Sequence, residues 1–154
     1  MINFEIDGVK FNYRVAVIIR DDKNRILLLH SRHGYWFLPG GRCEAGEFSR
    51  DAVIRELKEE MGADIEIERP VFLNENIFSV QETKIHEIGI YYTGGFKDSS
   101  LYETEEIKGI EEGKGYIFKW FSPSDLDEIE IRPEIVKEKL KNIPEHMEII
   151  ENRE

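Results

Sequence analysis

The sequence GRCEAGEFSRDAVIRELKEEMGA, residues 41–63, joins a polar loop to an amphipathic helix. Glycines and polar side chains over Gly41–Glu47 are typical of a loop. The apolar residues that follow fall roughly on one stripe of a helix. Ser49 is a candidate N-cap and Gly62 a candidate stop, so we predict a helix between them.

Three glutamates of this helix, Glu56, Glu59 and Glu60, follow the spacing i, i+3, i+4, which places their carboxylates on one face. Like charges at this spacing repel by a few tenths of a kcal/mol per exposed pair, so a bound cation would relieve a cost. Mg²⁺ is usually held by a few carboxylates together with substrate phosphates. The triplet alone leaves an ordinary solvent-exposed glutamate face as the alternative.

The flanking sequence predicts strands on both sides of this helix and mixed α/β layering. Asp7-Gly8 separates two alternating runs and indicates a hairpin. The other predicted strands are Val15–Ile19, Ile26–Leu29, Ile65–Phe78, Thr83–Phe96 and Tyr116–Phe121, whereas Trp36–Leu38 is a short apolar segment that stops at Pro39. We expect a loop over Lys97–Lys114, a helical turn over Ser122–Leu126, a final helix over Pro133–Leu140 and a frayed helix over Asn142–Glu154.

Composition and charge exclude several classes of protein. With 154 residues, of which 40% are apolar, the chain fits one domain, residues 1–154. Its apolar runs are too short for a membrane span, the N-terminus does not resemble a signal peptide, and the lone Cys43 excludes a disulfide framework. We therefore expect a cytoplasmic protein. The net charge of −11 disfavours nucleic acid as a partner, because phosphate neutralisation requires a basic face.

The spacing of the fixed residues in 41–63 resembles the Nudix box. The motif reads Gly, five residues, Glu, seven residues, then Arg-Glu-apolar-any-Glu-Glu-any-Gly-apolar, and all seven fixed letters are present. Only the last position departs, because Ala63 stands where a larger aliphatic residue is usual. The lead-in Trp36–Gly41 and the C-terminal segments Lys119–Phe121 and Ile131–Pro133 are also similar to the family pattern.

The resemblance implies an α/β/α sandwich around a mixed central sheet, which agrees with the order of the predicted elements. It implies that Glu56, Glu59 and Glu60 are catalytic and ligate Mg²⁺ or Mn²⁺. The carbonyl oxygen of Gly40 is implied as a further ligand.

Other roles implied by the resemblance fall to residues around the triplet. Glu47 and Arg55 are expected to hold the geometry of the loop and helix through a salt bridge. Glu56 is the leading candidate for the general base, although this family sometimes uses a glutamate outside the motif. Glu112, shortly before the predicted strand Tyr116–Phe121, is the candidate for an additional metal ligand or base.

The implied activity is hydrolysis of the pyrophosphate linkage in a small nucleoside diphosphate derivative by a metal-activated water. Candidate substrates are a nucleoside triphosphate, oxidised or not, ADP-ribose and a nucleotide sugar. Two alternatives stay open: a non-catalytic sensor of a nucleotide metabolite, and a 5′-pyrophosphohydrolase of RNA. A homodimer is a further possibility that the resemblance leaves open.

Candidate contacts to the substrate come from arginines and from a polar pair on a predicted strand. Four arginines can bind phosphate: Arg14, Arg20, Arg32 and Arg42. We prefer Arg42, because it lies inside the motif, and we predict Arg32 as a second substrate-binding residue. His86-Glu87 interrupts the apolar pattern of the strand Thr83–Phe96, so we expect one of the two to face the substrate. A structural histidine or an edge-strand charge explains that pair equally well.

Overall fold

Ten β-strands and two α-helices form along residues 1–154, all of which the computed structural model describes. The strands are β1 (Asn3–Ile6), β2 (Val9–Ile19), β3 (Ile26–His30), β4 (Trp36–Phe37), β5 (Gly40–Arg42), β6 (Ile65–Val80), β7 (Thr83–Phe96), β8 (Glu106–Lys108), β9 (Ile117–Phe121) and β10 (Glu148–Arg153). The helices are α1 (Ser49–Met61) and α2 (Ile135–Lys141), with short 3₁₀ turns at Ser99–Glu103 and Pro123–Glu128. Neither helix is long and apolar enough to cross a membrane.

The main sheet is mixed and has the order β1-β2-β7-β6-β10, with β5 added beside β2. Strands β2 and β7 run parallel from the pair Val9–Lys84 to the pair Ile19–Gly94, whereas β6 and β7 form a long antiparallel hairpin. A second, smaller sheet has the order β4-β3-β9-β8. The predicted mixed sheet is therefore confirmed.

Each face of the main sheet is covered by one helix, because successive side chains of a strand point to opposite sides. Val15, Val17 and Ile19 are buried in one cluster with α1, and Ala16 and Ile18 in a second cluster with α2. We call these the α1 face and the α2 face. The arrangement confirms the expected α/β/α sandwich.

The turn chemistry of the first hairpin acts as predicted. Asp7 and Gly8 both adopt positive φ, 52° and 76°, and connect the paired residues Ile6 and Val9. Two consecutive residues with positive φ are the requirement of the tight hairpin turn that suits twisted strands. The predicted strand Thr83–Phe96 also has the expected bounds.

Two stretches differ from the sequence prediction. The expected frayed helix over Asn142–Glu154 is wrong, because residues 148–153 form β10, which pairs in parallel with β6. The glutamates of this segment favour helix locally, but pairing satisfies the backbone groups at the open edge of β6, and this tertiary gain decides the outcome. The predicted loop Lys97–Lys114 contains the 3₁₀ turn Ser99–Glu103 and the short strand β8.

The start of α1 also differs by one residue from the prediction. Phe48, not Ser49, occupies the N-cap position, and Ser49 is the first helical residue. The Ser49 hydroxyl instead forms a 2.6 Å hydrogen bond with the Tyr92 hydroxyl on β7. The helix ends as predicted at Gly62, whose φ of 70° is the left-handed conformation that glycine adopts most readily.

Candidate active site

Two consecutive glycines bring strand β5 into close contact with its neighbours. A Cβ atom at Gly40 would lie 2.0 Å from the carbonyl oxygen of Val15, and one at Gly41 would lie 2.3 Å from the carboxyl carbon of Glu56. Any side chain at either position would therefore displace the backbone of β2 or the carboxylate of α1. The glycine pair allows the start of the motif and its first helical glutamate to meet.

Arg55 joins the loop to the helix through a fork of hydrogen bonds. Its Nε and Nη2 atoms donate to the two carboxylate oxygens of Glu47 over 2.8 and 2.9 Å, and Nη2 also donates to the carbonyl oxygen of Arg42 over 3.1 Å. Its Nη1 atom donates to Glu56 over 3.0 Å and to Glu59 over 3.2 Å. The hydrogen bonds from Arg55 hold the pKa of Glu47 below its ordinary value.

Glu60 is the least ordinary side chain of the helix. It is only 4% exposed, and its Oε2 atom has no hydrogen-bond partner. Burial raises the pKa of Glu60 from 4.5 to about 9, and the nearby negative charge of Glu56 adds to the shift. The positive charge of Arg14 opposes it. A backbone hydrogen bond from Gly40 also opposes the shift. A buried carboxylate with one oxygen unpartnered is nevertheless costly unless a proton or a cation accompanies it.

Glu56 and Glu60 are less exposed than Glu59, although the charge of Glu59 also acts on Glu56. Burial raises the pKa of Glu56, while the side chain of Glu59 is 48% exposed and faces Arg55. No three acidic, histidine or cysteine side chains converge tightly enough to enclose a metal ion by themselves.

These residues nevertheless fit a divalent cation. A cation would supply the missing partner of the Glu60 Oε2 atom and offset the repulsion between Glu56 and Glu60. Mg²⁺ keeps several waters and completes its shell with substrate phosphates, so a closed protein cage is not required.

The acidic loop after β8 approaches the helix through its backbone. The Ile110 amide donates to the carbonyl oxygen of Glu60 over 2.8 Å. The next residue, Glu111, contributes negative charge that raises the pKa values of both Glu56 and Glu60. The adjacent Glu112 is the residue expected from the sequence, because it lies shortly before the predicted strand Tyr116–Phe121. Spacing alone does not distinguish two neighbouring glutamates. The backbone hydrogen bond at Ile110 holds the residue next to Glu111 against the helix.

The two arginines expected to bind phosphate, Arg42 and Arg32, occupy different surroundings. Arg42 lies on β5 beside Arg14 of β2, and its Nη1 atom lies 3.1 Å from the sulfur of Met1. Arg32 is remote in sequence and donates a hydrogen bond to the carbonyl oxygen of Gly113, so it contacts the acidic loop. Arg14 faces the site more directly than the sequence indicated, because its charge acts on Glu60 and its guanidinium lies 5.9 Å from the centre of the Phe37 ring.

The polar pair on β7 is divided between the two faces of the sheet. His86 lies beside Phe11 on the α1 face, with their ring centres 6.0 Å apart. Glu87 lies on the α2 face beside Asn12 and is 6% exposed. Of the pair, only Glu87 shares a face with Arg14.

Comparisons with known proteins bear on the family and the fold of this chain. Residues 10–143 match the family model described as the NUDIX domain. An uncharacterized Nudix hydrolase of Bacillus subtilis is 31% identical over 116 residues, which cover 75% of this chain and 69% of that protein. A MutT Nudix hydrolase of Burkholderia pseudomallei has a similar structure, with a TM-score of 0.66, 23% identity and coverage of 82% of this chain and 95% of that one. An ADP-ribose pyrophosphatase of Streptococcus suis has a TM-score of 0.60, 19% identity and coverage of 93% and 98%.

Proposed function

We propose, since this chain belongs to the Nudix hydrolase family, that it hydrolyses the pyrophosphate linkage of a small nucleoside diphosphate derivative with the help of Mg²⁺. The candidate substrates are a nucleoside triphosphate, oxidised or not, ADP-ribose and a nucleotide sugar. The observation that carries the proposal is the buried Glu60 carboxylate, whose Oε2 atom lacks a partner beside Glu56.

The metal would be held chiefly by Glu56 and Glu60, with Glu59 and the carbonyl oxygen of Gly40 as further ligands. When bound, a divalent cation neutralises phosphate oxygens and lowers the pKa of a coordinated water. The residues that hold these ligands in place are Glu47 and Arg55, since their two-pronged ion pair fixes the loop against the helix.

The protein's own groups then position and deprotonate the attacking water. Glu56 is the leading base, because burial makes its carboxylate a stronger proton acceptor than an exposed glutamate. Glu111 is the second candidate, since its charge is felt by both Glu56 and Glu60. The proton passes from the water to a carboxylate oxygen, the water oxygen bonds to phosphorus, and the bridging oxygen leaves with the other phosphate.

Arg14 and Arg42 are the proposed partners of the phosphate oxygens. They are neighbours across β2 and β5, and the charge of Arg14 acts on Glu60. In a chain with net charge −11, such local cations are needed to attract a phosphate group. The intact set of glutamates weighs against a non-catalytic sensor, and the net charge weighs against a long RNA substrate.

The experiment is a panel of nucleoside diphosphate derivatives incubated with the protein, with products identified by mass. We expect two phosphate-bearing products from at least one compound in millimolar Mg²⁺ and none after exhaustive chelation with EDTA. Restored turnover after renewed addition of Mg²⁺ would complete the case. Hydrolysis that survives chelation, or no hydrolysis of any compound, would contradict the proposal.

A further inference from the structure

A group of buried polar side chains crosses the α2 face of the main sheet. Asn12, Glu87 and Asn76 lie side by side on β2, β7 and β6, and Asn74 lies one row away, in the row of Arg14. Their exposed fractions lie between 1% and 6%. We call these four residues the polar platform. A sheet face in contact with a core normally carries apolar side chains, so this platform requires a reason.

The polar platform is poorly satisfied within the protein. The Oδ1 atoms of Asn12 and Asn74 and the Nδ2 atom of Asn76 have no hydrogen-bond partner. The internal contacts are a 3.5 Å hydrogen bond from Asn12 to Glu87 and a 2.8 Å hydrogen bond from Asn152 to Asn76. Each buried polar group without a partner costs about 1–3 kcal/mol. The combined cost of three such atoms is a large fraction of the free energy of unfolding of a typical domain, about 5–15 kcal/mol. A ligand that forms hydrogen bonds with these atoms would explain why they are present.

The polar platform adjoins the cations of the candidate active site. Arg14 shares its row with Gly89 and Asn74, and Arg42 lies beside Arg14. Successive rows on one face of a strand are about 7 Å apart, which is comparable to the distance from a phosphate to the sugar or base of a nucleotide. The spacing therefore suits a substrate whose phosphates contact Arg14 and whose other end reaches the row of Asn12, Glu87 and Asn76.

The lack of a side chain at Gly89 leaves room at the centre of this surface for an aromatic ring. A Cβ atom at Gly89 would lie 2.9 Å from Cε2 of Tyr91, so the Tyr91 ring lies over the glycine. The same ring stacks on Phe72 with centres 4.3 Å apart. The platform thus has a rigid floor between its polar groups, as a specific binding site requires.

The chemistry of the polar platform defines the group that it can bind. Two orphaned amide oxygens and a carboxylate accept hydrogen bonds, while one orphaned amide nitrogen donates. On the premise of the proposed function, we propose that the platform binds the part of the substrate remote from the pyrophosphate and selects a group with two adjacent hydrogen-bond donors beside an acceptor. The edge of a guanine base and the vicinal hydroxyls of a sugar both have this chemistry.

The test measures equilibrium binding of three nucleoside monophosphates by calorimetry, in Mg²⁺, to the wild-type protein and to Glu87→Gln. Guanosine and inosine monophosphates differ by one N–H donor group on the base, and guanosine and 2′-deoxyguanosine monophosphates differ by one sugar hydroxyl. We expect loss of the base amino group, or loss of the sugar 2′-hydroxyl, to weaken binding to the wild-type protein by a factor of about ten or more. A site built around hydrogen bonds rejects a ligand that lacks one of the bonding groups. In Glu87→Gln that factor should fall to about two or less.

The matched control is Glu82→Gln, which removes the same charge from the exposed turn between β6 and β7. In Glu82→Gln, loss of the same ligand group should weaken binding by the same factor as in the wild-type protein. Equal binding of all three probes to the wild type, or an unchanged factor in Glu87→Gln, would overturn the inference. A monophosphate has no pyrophosphate linkage, so the result does not depend on turnover. Failure of the proposed function would appear separately, as intact compounds in the hydrolysis panel.

A second variant, Asn74→Leu, keeps the inference falsifiable if Glu87→Gln does not fold. Leucine has nearly the same shape as asparagine but no polar atoms, so it removes the orphaned Oδ1 atom. We expect the melting temperature without nucleotide to stay the same or rise, while binding of the preferred monophosphate weakens by about tenfold or more. A lower melting temperature together with unchanged binding would assign Asn74 a structural role and overturn the inference.

Discussion

At the scale of single residues, the unusual feature is the buried carboxylate of Glu60, which we propose as a metal ligand. Glu60 is buried beside Glu56, and one of its oxygens has no partner. Its sequence position identified it as a candidate metal ligand, but its burial was not visible there, because glutamates three and four residues apart also form ordinary exposed faces. The depth of Glu60 depends on how α1 sits against β5.

Replacing Glu60 by glutamine should lower turnover by at least about a hundredfold, since loss of a metal ligand removes several kcal/mol of transition-state stabilisation. In EDTA the same variant should be more stable than the wild type at pH 8. The pKa of Glu60 is about 9 in the folded state and 4.5 ordinarily, so between these pH values the folded state binds more protons than the unfolded state. The free energy of unfolding therefore falls as the pH rises from about 4.5 to about 9. Thermal melts from pH 5 to 9 would measure the slope.

In those melts Glu60→Gln should have a shallower dependence on pH than the wild type, and Glu82→Gln, on an exposed turn, should keep the wild-type slope. Near-normal turnover of Glu60→Gln would contradict its role as a metal ligand. A wild-type slope in Glu60→Gln would show that another group titrates.

The adjacent pair Glu111 and Glu112 allows a second comparison at this scale. Glu111→Gln should lower kcat by more than about tenfold, because its charge acts on Glu56 and Glu60 and a general base contributes at least that much. Glu112→Gln should stay within about twofold of the wild type. Steady-state kinetics in saturating Mg²⁺ would measure both, and the reverse order would restore Glu112 as the functional residue.

At the scale of elements, the junction of β5, its loop and α1 forms the site, and β10 completes the sheet. The spacing of glycines and charges in residues 41–63 predicted the first, because each close contact there requires a particular residue type. The spacing of residues in the sequence did not predict β10. An isolated strand has no hydrogen bonds of its own, so β10 exists only because β6 offers an open edge.

Neighbouring residues of β10 provide a matched test of this strand. Ile150 packs against the α2-face cluster, whereas Ile149 is 71% exposed on the opposite side. Ile150→Asp should lower the free energy of unfolding by about 1–3 kcal/mol, since it places a charge against the core. Ile149→Asp should change it by less than about 0.5 kcal/mol. Urea denaturation would measure both values, and equal effects would contradict the strand's register.

At the scale of the whole molecule, charge determines which ligands can approach. Asp and Glu outnumber Lys and Arg by 32 to 21, so a phosphate-bearing substrate is repelled at long range and must find its cations locally. We propose Arg14 and Arg42, which are neighbours across β2 and β5, as one such pair. A bound divalent ion would add to them, which couples substrate affinity to metal concentration.

Metal binding should therefore stabilise the fold as a whole. With Mg²⁺ at about a hundredfold excess over its dissociation constant, a ligand that binds only the native state adds about 2.7 kcal/mol. For a chain of this length that corresponds to a rise in melting temperature of about 5–10 °C. Calorimetric scans in Mg²⁺ and in NaCl of equal ionic strength would measure the shift, which EDTA should reverse. An equal shift in Glu60→Gln would exclude the proposed ligands.

The amino-acid sequence by itself determined the family, the helix with its three glutamates and the first hairpin, because these depend on residue types at short, local spacing. Only the tertiary structure decided that Glu60 is buried, that the charge of Glu111 acts on it, and that His86 and Glu87 point to opposite faces. It alone assembled the polar platform from three strands. Burial and the alignment of distant strands arise from contacts between residues far apart in the chain, and no local pattern encodes them.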